Sequence, residues 1–90
     1  MSVEFKIAET ESFQKIAQKP HAASLYAKIV DYVCPQLRQN PFFGPNIKKF
    51  KGDLSAFYRY RIGNFRLFYS IDVNKSLVCM VTMKDRKEAY

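Results

Sequence analysis

Between Leu54 and Met83 the apolar residues recur at every second position, and the alternation breaks only at two turn-forming segments. Leu54, Ala56, Tyr58, Tyr60 and Ile62 alternate with Ser55, Phe57, Arg59 and Arg61, up to the turn dipeptide Gly63-Asn64. Phe65, Leu67, Tyr69 and Ile71 then alternate with Arg66, Phe68, Ser70 and Asp72, and Val73-Asn74-Lys75-Ser76 turns the chain again. Leu77, Cys79, Val81 and Met83 follow, opposing Val78, Met80, Thr82 and Lys84. A period of two punctuated by tight turns predicts a three-stranded antiparallel meander.

The first half has a different rhythm. Val3, Phe5 and Ile7 alternate with Ser2, Glu4 and Lys6, which predicts a half-buried strand from about 2 to 8. Thr10 then caps a short helix with Phe13, Ile16 and Ala17 on one side, ended by Pro20. Pro20 suits the first turn of a second helix, in which Ala22, Leu25, Tyr26, Ile29, Val30 and Val33 recur at spacings of three and four. Pro35 lacks the N–H that would bond the carbonyl of Asp31 and clashes with it. That helix therefore either kinks there or stops near Val33, with Leu37 beginning a further turn. Asn40-Pro41-Phe42-Phe43-Gly44-Pro45 is a loop by composition. The order is β-α-α-β-β-β, an α+β class: an antiparallel twisted sheet with two N-terminal helices packed on one face, in two layers.

Ninety residues are too few for two separate cores, so residues 1–90 are expected to form one domain. A hydrophobic fraction of 48% with eight Phe and six Tyr is too rich for disorder, even at a net charge of +7. The charge is uneven: residues 1–45 hold five Lys or Arg against four Asp or Glu, and residues 46–90 hold ten against four. This asymmetry fits a polyanionic partner, an acidic protein covering the same surface, or a merely solvated basic face. Cys34 and Cys79 show no CxxC or His-rich spacing, so both read as reduced core residues and no metal site is expected. The N-terminus carries no apolar signal-like region, and no apolar run reaches the roughly 18 residues of a membrane span. The expected location is cytoplasmic, with no membrane association.

Aligning the apolar sets toward the helices leaves Arg59, Arg61 and Arg66 on the opposite, open face. Arg59 and Arg61 are two apart and project about 7 Å from each other on one side of a strand, comparable to adjacent phosphates of an extended nucleic-acid strand. Arg66 follows the turn and converges on them. Tyr58, Tyr60, Phe57 and Phe68 offer aromatic faces for base stacking, or, in the alternative, the tyrosines are core and the phenylalanines cover the sheet. Lys48, Lys49 and Lys51 precede the meander as general phosphate attraction or as a solvated run. His21 reads as a surface or capping residue.

No Ser/His/Asp set, Gly-rich phosphate loop, paired-carboxylate site or metal-ligand cluster is visible in the sequence. What remains open is phosphoryl transfer on RNA in which the substrate's own 2′-hydroxyl attacks. Such chemistry needs cations for developing charge and a proton donor, which arginine and tyrosine can supply.

The run from Tyr58 through Arg59, Arg61, Gly63-Asn64 and Arg66 to Tyr69, followed by a strand and the closing Arg86-Lys87-Glu88-Ala89-Tyr90, resembles the toxins of the RelE/ParE superfamily. These belong to bacterial and archaeal toxin-antitoxin systems, and the resemblance covers nearly the whole chain. It implies a RelE-like fold and, for the favoured RelE branch, an mRNA interferase: an endoribonuclease cutting mRNA in the ribosomal A site by 2′-hydroxyl attack. The products are a 2′,3′-cyclic phosphate and a 5′-hydroxyl, formed without metal or other cofactor. Its implied partners are a cognate antitoxin, the ribosome and mRNA. Arg59 and Arg61 fall where such toxins carry basic residues of the central strand, Arg66 matches the arginine after the turn, and Arg86 and Tyr90 match the last arginine and the C-terminal tyrosine. Arg66 and Arg86 would then stabilise the transition state, with Tyr90 stacking on a base or aiding proton transfer. Some relatives carry lysine where Arg59 and Arg61 stand, and others a histidine or glutamate near the last strand, where this chain has Asp85 and Glu88. Arginine stays protonated, so the general base is left open. The ParE-like branch, which poisons DNA gyrase, and a catalytically inactive antitoxin-binding module are the alternatives.

Overall fold

A five-stranded sheet in the order β1-β5-β4-β3-β2 forms one layer and the helices the other. The computed structural model describes residues 4–50 and 57–85. The strands are β1 (Lys6–Glu9), β2 (Ile47–Lys49), β3 (Phe57–Ile62), β4 (Phe65–Asp72) and β5 (Leu77–Asp85). β3, β4 and β5 make the expected meander. Gly63 has φ +56 while Asn64 does not adopt positive φ, the pattern of a two-residue type II′ turn.

Three features depart from the sequence-based expectation. The sheet is mixed, because β1 pairs in parallel with β5 while β2 to β5 are antiparallel. The helices carry the chain from β1 at one edge to β2 at the other, and alternation within a strand carries no information on a neighbour's direction. The second departure is β2 itself, a short strand in the stretch read as a lysine run. The third is the phase of β5. Val78 and Met80 are buried, as is Met83, because the pairing shifts between Phe68↔Thr82 and Tyr69↔Met80 and leaves Val81 as the extra residue of a β-bulge. The bulge inverts the facing of everything before it, so Cys79 lies on the open face opposite Ser70 instead of in the core.

Helix α1 (Glu11–Ala17) begins at Thr10, whose hydroxyl accepts a hydrogen bond from the Phe13 N–H at 3.2 Å. A 3₁₀ turn (Pro20–Ala22) then opens α2 (Ala23–Lys28), a π turn (Ile29–Val33) follows, and α3 (Cys34–Gln39) continues without a break. Pro35 therefore neither kinks the chain out of the helix nor ends it at Val33. The π turn shifts the hydrogen bonding, with the Cys34 N–H bonded to the Ile29 carbonyl, just ahead of the position where Pro35 has no N–H to give.

Phe13, Leu25, Ile29, Val33 and Leu37 from the helices are buried against Tyr58, Tyr60, Leu67, Tyr69, Val78 and Met80 from the sheet. Each fully buried large apolar side chain contributes about 1.5–3 kcal/mol relative to exposure. The core tyrosines also bind the layers through their hydroxyls: Tyr60 donates to Gln36 Oε1 at 2.6 Å and Tyr69 to the Pro41 carbonyl at 2.7 Å. Among the described residues no helix is long and apolar enough to cross a membrane.

Candidate nucleic-acid interface

With one face of the sheet covered by helices, the other presents the polar set of the meander in rows across the strands. Arg61 on β3 stands directly opposite Arg66 on β4, which stands directly opposite Lys84 on β5. Directly opposed residues on neighbouring strands hold their Cβ atoms about 4.5–5.5 Å apart, and like charges so placed destabilise a sheet. Arg61, Arg66 and Lys84 thus place three cations abreast, and an anion laid across the row would meet all three.

The adjacent row is Lys48, Arg59, Phe68 and Thr82. Arg59 is half-buried, and its Nε–H is both shielded from solvent and without a hydrogen-bond acceptor. An unsatisfied buried donor costs about 1–3 kcal/mol, more for a charged group. Beside it opens a cavity of about 270 Å³ lined by Lys48, Lys49, Phe50 and Arg59. The Phe50 ring stacks on Phe68, with centroids 5.7 Å apart and planes at 18°, giving this end of the face an apolar wall. An unsatisfied guanidinium donor next to a cation-lined concavity is complementary to an anionic oxygen such as that of a phosphate.

The structure thus brings Arg59, Arg61 and Arg66 onto one face, with Lys48 alongside Arg59. Lys49 pairs with Tyr58 on the other side of the strand, and its ammonium lies 5.9 Å from the Tyr58 ring centroid, although the residue also lines the cavity. Lys51, Arg86 and Tyr90 lie outside the described residues. Tyr58 and Tyr60 are core residues: Tyr58 is 8% exposed and stacks on Tyr69 at 5.6 Å, so neither offers a face to a base. Phe57 and Phe68 are half-buried on the open face. His21 is exposed and lines a separate cleft of about 300 Å³ with Lys19 and Lys84, between the helices and the ends of β4 and β5.

Two members of the face were not singled out from the sequence. Lys84 lies in the polar phase of the last strand and could have been found by continuing the Arg66 row across the meander. Phe50 gave no such signal, since its position depends on the short strand β2. The buried tyrosine Tyr69 is not a proton donor for this face. Burial, followed by the neighbouring Tyr58 and Tyr60 phenols, pushes its hydroxyl far above the ordinary tyrosine range. Among the described residues no group of three or more His, Cys, Asp and Glu side chains is placed to hold a metal ion.

The fold has well-matched counterparts among solved structures. The toxin-antitoxin complex RelBE2 from Mycobacterium tuberculosis aligns with a TM-score of 0.77 at 21% identity, over 96% of this chain and 95% of that one. The archaeal RelE-RelB complex from Pyrococcus horikoshii aligns at 0.71 and 20% identity, over 92% and 96% of the two chains. A YoeB/ParE toxin from Agrobacterium tumefaciens aligns at 0.71 and 20% identity, over 90% and 98%. At these identities the likeness shows the fold. No curated protein sequence is significantly similar to this one. The family model of the ParE toxin of the type II toxin-antitoxin system, parDE, matches residues 6–90. The chain therefore belongs to the ParE toxin family of type II toxin-antitoxin systems.

Proposed function

We propose that this toxin is a ribosome-dependent mRNA endoribonuclease whose open sheet face holds the scissile phosphate. The observation that carries the reading is the buried, unsatisfied Arg59 Nε beside a cation-lined cavity, one row from Arg61, Arg66 and Lys84. A surface serving only to solvate charge has no reason to bury a guanidinium donor without an acceptor.

In the reaction the 2′-hydroxyl oxygen attacks the adjacent phosphorus and its proton leaves to a base. The bond to the 5′-oxygen breaks, the leaving oxygen takes a proton, and a 2′,3′-cyclic phosphate remains. Negative charge grows on the phosphoryl oxygens at the transition state, where preoriented guanidinium groups are worth most. Arg59, Arg61 and Arg66 supply that stabilisation on the described face. Arg86 and Tyr90, from the resemblance, complete the set as the last arginine and a stacking or proton-transferring residue. Lys48, Lys49 and Lys51 add sequence-independent attraction for the backbone. Among the described residues the two rows that carry Arg59, Arg61 and Arg66 hold no histidine or carboxylate to act as a base, so much of the rate depends on positioning, which fits a substrate presented by the ribosome. A cognate antitoxin is the proposed protein partner, since the RelBE2 and archaeal RelE-RelB structures are toxin-antitoxin complexes.

A second reading, inhibition of DNA gyrase, is the one implied by resemblance to the ParE-like branch, whose name the matching family model carries. Primer extension on mRNA in a reconstituted translation reaction separates the two. The expected result is new 5′ ends within A-site codons for the wild type, reduced about 10²–10³-fold in Arg59→Ala and Arg66→Ala. Intact mRNA under active translation, with loss of supercoiling in a gyrase assay, would establish the second reading instead.

A further inference from the structure

A second concavity lies around the edge of β3 from the arginine face. It measures about 430 Å³ and is lined by Lys28 and Tyr32 from the helix, Asn46 before β2, and Arg61 and Gly63 at the turn end of β3. Tyr32 is 73% exposed, although Val33 beside it is buried in the core. A single exposed aromatic needs no explanation by itself. This one shares a cleft with two cations, Lys28 and Arg61, and with a carboxamide.

Arg61 belongs to both surfaces, since it opens the row Arg61–Arg66–Lys84 and also lines this cleft. Cationic lining thus continues from the open face, past the Gly63-Asn64 turn, to the helical side. The alternative occupant, an acidic amphipathic helix, needs an apolar floor. Here, besides Tyr32, the apolar lining is Val33 and Tyr60, which are only 2% and 7% exposed, and the half-buried Ile62. An exposed ring flanked by cations instead suits a nucleotide, with a base on the ring and its phosphate between the ammonium and guanidinium groups.

We infer that the Lys28–Tyr32–Arg61 cleft is a second single-stranded RNA subsite, which takes an unpaired nucleotide of the strand whose phosphates cross the arginine face. The inference rests on the RNA-directed reading above and adds to it a stacking residue on the helix. Asn46 offers a carboxamide to the base edge, and the subsite extends the bound strand beyond the scissile position.

The test is fluorescence anisotropy of labelled single-stranded RNA with the full chain. It compares an oligonucleotide of about 4 nucleotides with one of about 16, the range of site sizes on single-strand grooves. Tyr32→Ala is expected to weaken binding of the longer RNA roughly five- to hundredfold, the effect of losing one stacked base, and to leave the short one unchanged. Tyr32→Phe keeps wild-type affinity, and Lys28→Gln lowers the magnitude of the salt slope for the longer RNA by about 0.7. Arg66→Ala weakens both lengths. Wild-type binding of the longer RNA in both Tyr32→Ala and Lys28→Gln, with Arg66→Ala still defective, overturns the subsite and leaves the arginine face standing. The same outcome is expected if the cleft serves an acidic protein segment, and it is read the same way. No RNA binding by the wild type at either length overturns this inference alone, since the ribosome-dependent reading stands or falls on the primer-extension result.

Discussion

Thr10 shows how one side chain joins two elements. Its hydroxyl accepts from the Phe13 N–H at 3.2 Å, starting α1, and donates to the Val81 carbonyl at 2.9 Å, satisfying the residue extruded by the bulge in β5. Its own N–H bonds the Met80 carbonyl at 3.0 Å. Replacement by alanine removes a helix cap and leaves the Val81 carbonyl short of a donor, so Thr10→Ala is expected to cost about 2 kcal/mol. Thr10→Ser, which keeps both hydrogen bonds, is expected to stay close to wild type. Urea unfolding monitored by circular dichroism checks both. The capping half of this role was legible in the sequence, since a threonine before a helical apolar pattern has few other uses. The bulge half was not, because its partner lies 71 residues away along the chain.

Among the elements, the β3–β4 hairpin was read most directly, and its turn makes a sharp prediction. Gly63 sits at φ +56, and an added Cβ would have no atom within 4 Å. The cost of Gly63→Ala is therefore backbone strain alone. It is expected to exceed about 1 kcal/mol, read as a lower urea midpoint with an unchanged slope. Other elements depended on interactions that a local pattern does not contain. Alternation along β5 predicted Cys79 and Val81 facing the helices. The bulge, stabilised by the Thr10 hydroxyl, reversed the phase of the strand's first half. Pro35 was expected to interrupt or end the helix. A single π turn accommodated it, and the apolar stripe of Leu25, Ile29, Val33 and Leu37 stayed buried along the whole helical run.

At the scale of the whole molecule, three buried or hydrogen-bonded acids make stability depend on alkaline pH. Burial raises the Cys34 thiol above its ordinary 9.0, opposed in part by Arg38. Burial likewise raises the Tyr69 hydroxyl above 10.0, and the hydrogen bond to Glu9, at 2.7 Å, raises that of Tyr26. Each group holds its proton more tightly folded than unfolded, so its contribution is complete below the ordinary value and is lost as pH rises beyond it. The urea midpoint is expected to be insensitive to these groups below about pH 9 and to fall progressively above it, as Cys34 and then the tyrosines ionise in the unfolded chain. Tyr69→Phe, although it loses the bond to Pro41, is expected to show a shallower fall above about pH 10. A midpoint rising with pH in this window would contradict the assignment.

The sequence by itself determined the α+β class, the meander, the cap of the first helix and the arginine-bearing face. Each of these follows from short-range periodicity and turn chemistry, which act within a few residues. Only the tertiary structure decided that β1 lies parallel to β5, that β2 forms an edge, and that Tyr58 and Tyr60 belong to the core. It also decided that Arg59 is half-buried beside Phe50 and that Lys84 completes a row begun by Arg61. Those outcomes depend on which strands become neighbours and in what register, and that choice is made by burying one face of the sheet against helices formed from the other half of the chain.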